Sequence, residues 1–155
     1  MLKILGRLVL LFMVMVSLNS LFIEKSMAEM SFDLASYQWK KRIIILFSIS
    51  SATEYYRTQK DDLETRTEGI LDRDLIVIEL FKKKQGRLGD QFLTDDDVRK
   101  LMNLFNLKQD QFQIILLGKD GTIKRRSNVP VPVQELFDLI DAMPMRQEEM
   151  RRKHK

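Results

Sequence analysis

Two short apolar runs, Arg42 to Ser50 (RIIILFSIS) and Asp74 to Phe81 (DLIVIELF), constrain the fold more than any other feature of this 155-residue sequence. Each is continuous rather than alternating, rich in β-branched residues and too brief for a buried helix, so each reads as a strand covered on both faces. Between them Thr53 to Leu71 is polar, with Tyr56, Leu63 and Ile70 seven residues apart, the sparse stripe of a helix laid over a sheet. Strand, helix, strand is the parallel crossover unit.

The rest of the chain extends that unit. Lys82 to Asp90 (KKKQGRLGD), with two glycines and four basic residues, reads as an exposed loop. Thr94 followed by Asp95, Asp96 and Asp97 supplies an N-cap, an acidic first turn and a capping-box carboxylate for a helix whose apolar face is Val98, Leu101, Met102 and Phe105. Phe112 to Leu117, a Gly118-Lys119-Asp120-Gly121 turn and Thr122 to Ser127 predict a hairpin, because Asp-Gly tolerates the positive φ of tight connections. Pro132 then opens a last helix with Val133, Leu136, Phe137 and Ile140 on its apolar face, interrupted at Pro144. The order β-α-β-α-β-β-α predicts an α/β, thioredoxin-like three-layer fold built on a mixed four-stranded sheet.

Composition removes whole classes of chemistry. The chain has no cysteine and a single histidine, His154 near its end. Thiol chemistry, disulfides, iron-sulfur ligation, His-built metal cages and a Ser-His-Asp relay are therefore excluded. No cofactor and no metal are expected. Asp72, Asp74, Glu79 and Asp95 to Asp97 read as capping and solvated acids, and Met143, Met145 and Met150 as core filler, since no dense Met-x-Met array favours copper(I).

Residues 1–28 have the layout of an address: Lys3 and Arg7, an uncharged run from Leu8 to Ile23, then Ser26-Met27-Ala28 with small residues at the first and third places. A secretory signal cleaved after Ala28 and an uncleaved membrane anchor both fit this pattern. Either places the folded part outside the cytoplasm, periplasmic or secreted. The leader accounts for +2 of the net charge of +4, through Lys3, Arg7 and Lys25 against Glu24. Five basic residues against Glu148 and Glu149 make residues 146–155 a basic tail, expected to be solvated and to touch anionic membrane surfaces weakly. The body between, residues 29–145, is close to neutral and lacks interleaved stacking aromatics, which argues against a nucleic-acid partner.

Several stretches also resemble a known family: Tyr37-Gln38-Trp39 with Lys40-Lys41-Arg42, Arg73 and Asp74 leading into the second run, Gly118-Lys119-Asp120-Gly121 with Lys124 and Arg126 beyond, and Ile140-Asp141-Ala142-Met143-Pro144-Met145-Arg146. Together, over about Ser31 to Met150, they are similar to the family named domain of unknown function 4174. The resemblance implies a thioredoxin-like or peroxiredoxin-like domain without redox cysteines, found in exported bacterial proteins and as modules of animal extracellular-matrix proteins. It implies no reaction. Thioredoxin-like proteins carry Cys-x-x-Cys where this chain, aligned from Phe47, has Ala52-Thr53-Glu54-Tyr55, and a cis-proline where it has Asp110-Gln111-Phe112-Gln113.

Ser48, Ser50, Ser51 and Thr53, with Arg57 nearby, crowd the carboxyl end of the first strand, where open α/β sheets bind ligands. They are the candidate ligand-binding residues, set against ordinary capping and turn chemistry at a helix start. The expected function is a non-redox binding or interaction module for a protein or small ligand of the cell envelope. The alternative is an enzyme whose non-thiol site is that hydroxyl loop, although no base to activate a serine is visible.

Overall fold

The computed structural model describes residues 32–82 and 85–153. At its centre β1 (Arg42–Ser48) pairs in parallel with β2 (Leu75–Phe81), with Arg42 beside Leu75 and Ser48 beside Phe81. Two-residue strands β3 (Arg87–Leu88) and β4 (Gln91–Phe92) continue the sheet beyond β2. On the other side β5 (Gln113–Leu117) runs antiparallel to β1, and β6 (Ile123–Ser127) closes the hairpin, giving the order β4-β3-β2-β1-β5-β6. Every residue of β1 and β5 is buried, as expected of strands covered on both faces.

Successive side chains of the central strands point to opposite faces and build two cores. Ile44, Leu46 and Leu116 meet Tyr56 and Leu63 of α1 (Glu54–Glu64). After α2 (Thr67–Asp72), α3 (Asp95–Leu104) brings Val98, Leu101 and Met102 to the opposite face, against Ile43, Ile45 and Phe47. The first core is completed by Leu136, Phe137 and Ile140 of α4 (Val133–Asp141). Each large apolar side chain so buried contributes about 1.5–3 kcal/mol, which makes these two layers the main source of stability. The capping box forms: the Asp97 N–H donates to Thr94 Oγ1 at 3.1 Å and the Thr94 hydroxyl donates to Asp97 Oδ2 at 2.8 Å.

The structure departs from expectation in three places. The helix read over Thr53 to Leu71 breaks at Thr65-Arg66, where the Thr65 and Thr67 hydroxyls donate to the carbonyls of Asp62 and Glu64. The break turns Gly69 onto α4, so closely that a Cβ there would lie 2.5 Å from the Phe137 ring. The loop read over Lys82 to Asp90 contains β3, and Gly89 adopts φ 57° in the turn to β4, so the sheet has six strands rather than four. Such short strands carry no periodicity to read.

The third departure is the chain end. Pro144 starts a further helix, α5 (Pro144–Lys153), so the expected boundary at residue 146 falls inside a helix. Proline suits a first helical position, where no N–H is required. Arg146 and Glu149 belong to the folded body rather than to a solvated tail, because both are bonded to it through side chains. The leader read over residues 1–28 and His154 lie outside the described residues.

Candidate functional site

The strand pair has two ends, and the sequence reading placed ligand binding at the carboxyl end. There the hydroxyls bond chiefly to one another and to the turn. Ser48 Oγ donates to the Ser50 carbonyl at 2.9 Å and lies 2.7 Å from Thr53 Oγ1, which itself reaches the Ser50 carbonyl at 3.1 Å. Ser50 Oγ accepts the Ala52 N–H at 3.1 Å. Ser48 is buried, whereas Arg57 is exposed one turn into α1 and makes no side-chain bond to these hydroxyls among the described residues. This is a closed Ser/Thr turn.

The amino end of the same strands is built differently. Arg42 begins β1, Asp74 precedes β2 and Lys119 follows β5, so the topology brings three sequence-distant charged residues together. Arg42, Lys119 and Arg146 are only 1%, 8% and 3% exposed. Buried cations are tolerated only when paired. The Arg42 guanidinium grips the Glu149 carboxylate with both nitrogens, at 3.1 and 3.2 Å, and donates to the Arg73 carbonyl at 2.9 Å. Lys119 Nζ bridges Asp74 at 2.9 Å and Glu149 at 2.8 Å. Arg146 donates to Asp141 at 3.0 Å, to the Asp72 carbonyl at 2.8 Å and to the Asp72 carboxylate. Arg73 completes the array, pairing with Asp141 while its guanidinium lies 4.1 Å from the Phe137 ring centre.

These contacts shift protonation in consistent directions. The Lys153 hydrogen bond, with Arg146 behind it, outweighs the opposition of burial and holds Asp72 below the ordinary carboxylate range. For Asp74 burial pushes up, but Lys119 and Lys41 outweigh it. Burial opposes the charge on Glu149 too, and Arg42 and Lys119 reverse the effect. Burial works against the Arg146 cation, yet Asp141 and Asp72 raise its pKa. With Lys41 and Lys153 counted, six cations face four carboxylates, Asp72, Asp74, Asp141 and Glu149.

Beside this array lies a cleft of about 320 Å³, walled by Trp39, Met143, Pro144 and Met145 and bordered by Arg42, Gly118, Lys119, Asp120 and Lys124. Trp39 is 61% exposed and Met145 41%, so Met145 is not the core filler expected, whereas half-buried Met143 packs on the first core. Trp39 adopts φ 64° and Asp74 φ 50°. Left-handed backbone in a residue as bulky as tryptophan costs on the order of 1–3 kcal/mol and persists only where the surroundings impose it. Here the Trp39 N–H donates to the Lys119 carbonyl at 2.6 Å and the Asp74 carbonyl accepts the Arg42 N–H at 2.9 Å.

The family-motif residues therefore divide. Arg73, Asp74, Lys119, Asp141 and Arg146 form the array; Gly118, Asp120, Lys124, Met143, Pro144 and Met145 line the cleft; Gly121, with φ 79°, turns the hairpin. Arg126 lies elsewhere, donating to Gln113 at 3.2 Å and to the Phe105 carbonyl at 2.6 Å. Sequence reasoning missed Arg42, Asp72 and Glu149 as array members. An arginine directly abutting a fully buried strand was the available signal for the first.

Glu79 also departs from the solvated role expected of it. It is 6% exposed in β2, accepts the Tyr56 hydroxyl, and accepts Lys60 Nζ at 2.6 Å. Burial, then Glu79, pushes the Tyr56 phenol far up. These residues border a larger hollow of about 810 Å³, but its buried carboxylate is satisfied by its own neighbours. The smaller cleft, beside surplus cations and exposed tryptophan, is the better candidate.

The family model described as "Domain of unknown function (DUF4174)" matches residues 33–149, from the turn before Trp39 to Glu149. The chain belongs to the DUF4174 family. Among curated proteins this DUF4174 chain is 30% identical over 120 residues to the human Sushi repeat-containing protein SRPX, covering 76% of the chain and 26% of that relative. It is 28% identical over 123 residues to mouse Sushi repeat-containing protein SRPX2, again covering 77% of the chain and 26% of the relative. The chain thus spans about a quarter of the length of these relatives.

Solved structures that resemble the DUF4174 domain include a reduced Plasmodium vivax 2-Cys peroxiredoxin, at TM-score 0.56 and 12% identity, covering 76% of this chain and 85% of that one. A Plasmodium yoelii thioredoxin peroxidase I matches at TM-score 0.54 and 17% identity, covering 74% and 79%. The fold is thioredoxin-like. The cysteines for which the first of those proteins is named have no counterpart in this sequence, which has none.

Proposed function

We propose that this DUF4174 chain is an exported, non-redox binding module that holds a protein or small ligand of the cell envelope at the Trp39 cleft. The observation that carries the proposal is the pairing of an exposed, left-handed Trp39 with an apolar cleft on a rigid charge array. Binding sites are commonly apolar hollows with a few fixed polar groups, on frames that hold them in place. The enzyme alternative gets less support, since Ser48, Ser50 and Thr53 are already bonded within their own turn and, among the described residues, no side-chain base is bonded to them. A role for the basic tail at membrane surfaces is weakened by the burial of Arg146 and the pairing of Arg151 and Arg152 with Glu148. Export rests on the pattern of residues 1–28.

Site-specific photo-cross-linking in the producing cells tests the reading. Benzoylphenylalanine at position 145 should yield adducts, and the same group at position 51 should not. Adducts confined to position 51, or insulin reduction or peroxide removal by the pure chain, would overturn it. Intact mass of material recovered from the envelope or medium tests export, with a chain starting at Glu29 expected under cleavage.

A further inference from the structure

We infer that the Trp39 cleft takes one large apolar side chain from an acidic peptide segment of a partner protein. The inference rests on the binding-module reading above and specifies its partner. A volume of about 320 Å³ sits at the lower limit of small-molecule sites, about 300–1,000 Å³. It has room for a single large side chain with its adjoining backbone. Trp39 and Met145 remain well exposed, and tryptophan and methionine are the residues that interfaces favour, one as a rigid anchor and the other as adaptable packing.

Charge selects the partner. Residues 29–145 are close to neutral, yet the array beside the cleft has six cations against four carboxylates. Lys124, paired with Asp120 at 2.8 Å, borders the cleft on the hairpin side, and Arg152, paired with Glu148 at 2.9 Å, borders the hollow past Trp39; these two pairs add no net charge and leave the array's surplus of two cations as it stands. Buried Arg42 borders it too, and its Nε has no acceptor among the described residues. Carboxylates flanking an apolar anchor would meet this surplus and gain both association rate and selectivity. A second copy docking symmetrically would set the basic end against itself. A long acyl chain would be left largely in water by walls this shallow.

Trp39 is the only tryptophan, so its fluorescence reads the site directly. The probes are acetyl-Glu-Glu-Phe-Glu-Glu-amide and its Gln and Lys counterparts. The Glu peptide should shift Trp39 emission saturably and bind at least about tenfold more tightly than either counterpart, the advantage closing at about 0.5 M salt. Met145→Glu should remove the response while circular dichroism is unchanged. Lys124→Glu should weaken the Glu peptide and strengthen the Lys peptide, a reversal that loss of folding cannot produce. Equal binding of the three peptides, full affinity after either substitution, a tighter Trp39 response to decanoate, or a self-association that occupies the cleft would each overturn the inference. Adducts at position 145 without preference for the acidic peptide would sink the partner chemistry alone. No adducts there would sink the binding reading as well.

Discussion

At one end of β1, Ser48 is buried in a turn of neutral hydroxyls; at the other, Arg42 is buried among ion pairs contributed by four separate stretches of chain. The first end is a local, self-contained connection. The second end joins β1, the α2–β2 connection, the β5–β6 turn and α5, so it holds elements distant in sequence. Removing a buried cation from a shared array takes charged hydrogen bonds from several groups at once, whereas removing a hydroxyl from a neutral turn leaves a modest deficit.

The largest expected effect follows from that difference. Arg146→Ala should destabilise the chain by about 3 kcal/mol in urea unfolding, because Asp141 and the Asp72 carbonyl lose a buried donor, while the partly exposed carboxylates keep Arg73 and Lys153. Tyr56→Phe should cost about 1–3 kcal/mol by taking a donor from buried Glu79, a test of whether buried charge is costly wherever it occurs in the sheet. Ser48→Ala should cost about 1 kcal/mol, since Thr53 still donates to the Ser50 carbonyl. A cost for Ser48→Ala equal to that of Arg146→Ala would break the contrast between the ends.

Acid and base should separate the same regions. Asp72, Asp74 and Glu149 have folded pKa values below their unfolded ones. Their stabilisation is complete above about pH 4 and is lost as pH falls further. Tyr56 is shifted upward, so its contribution is whole below about pH 10 and fades as pH rises beyond it. Urea midpoints measured across pH should therefore show an acid limb that Arg146→Ala flattens and an alkaline limb that Tyr56→Phe flattens. Because Asp74 and Glu149 owe their shifts to Lys119, Lys41 and Arg42, the flattening should be partial, and an acid limb unchanged in Arg146→Ala would show that the Asp72–Arg146 pair contributes nothing to it.

Much of this was legible in the residues. The continuous runs read over Arg42 to Ser50 and Asp74 to Phe81, the Asp-Gly turn and the Thr94 cap each act locally, and each formed where the pattern put it, with β1 ending two residues early at Ser48 and β2 starting one residue late at Leu75. The array was only half legible. Asp141, Arg146 and Lys119 were singled out by resemblance, but nothing local says that Arg146 lies beside Asp72, seventy-four positions away, or that Glu149 reaches Arg42. Charged side chains carry no periodic signal, and their partners are set by how strands and helices pack, so Asp72, Asp74 and Glu79 resembled solvated acids. The break at Thr65-Arg66 was hidden because nothing in a polar helical stretch marks which hydroxyls will turn back onto the preceding carbonyls, as those of Thr65 and Thr67 do.

The clasp between Arg42 and Glu149 has one more consequence. It keeps the segment leading into the sheet and the helix leaving it on the same side of the domain, with Trp39 and Arg152 bordering one shallow hollow. Because each side of the clasp pins the other, the last helix acts as a latch on the first strand of the sheet, and trimming the chain back past Glu149 would strip a buried guanidinium of its carboxylate.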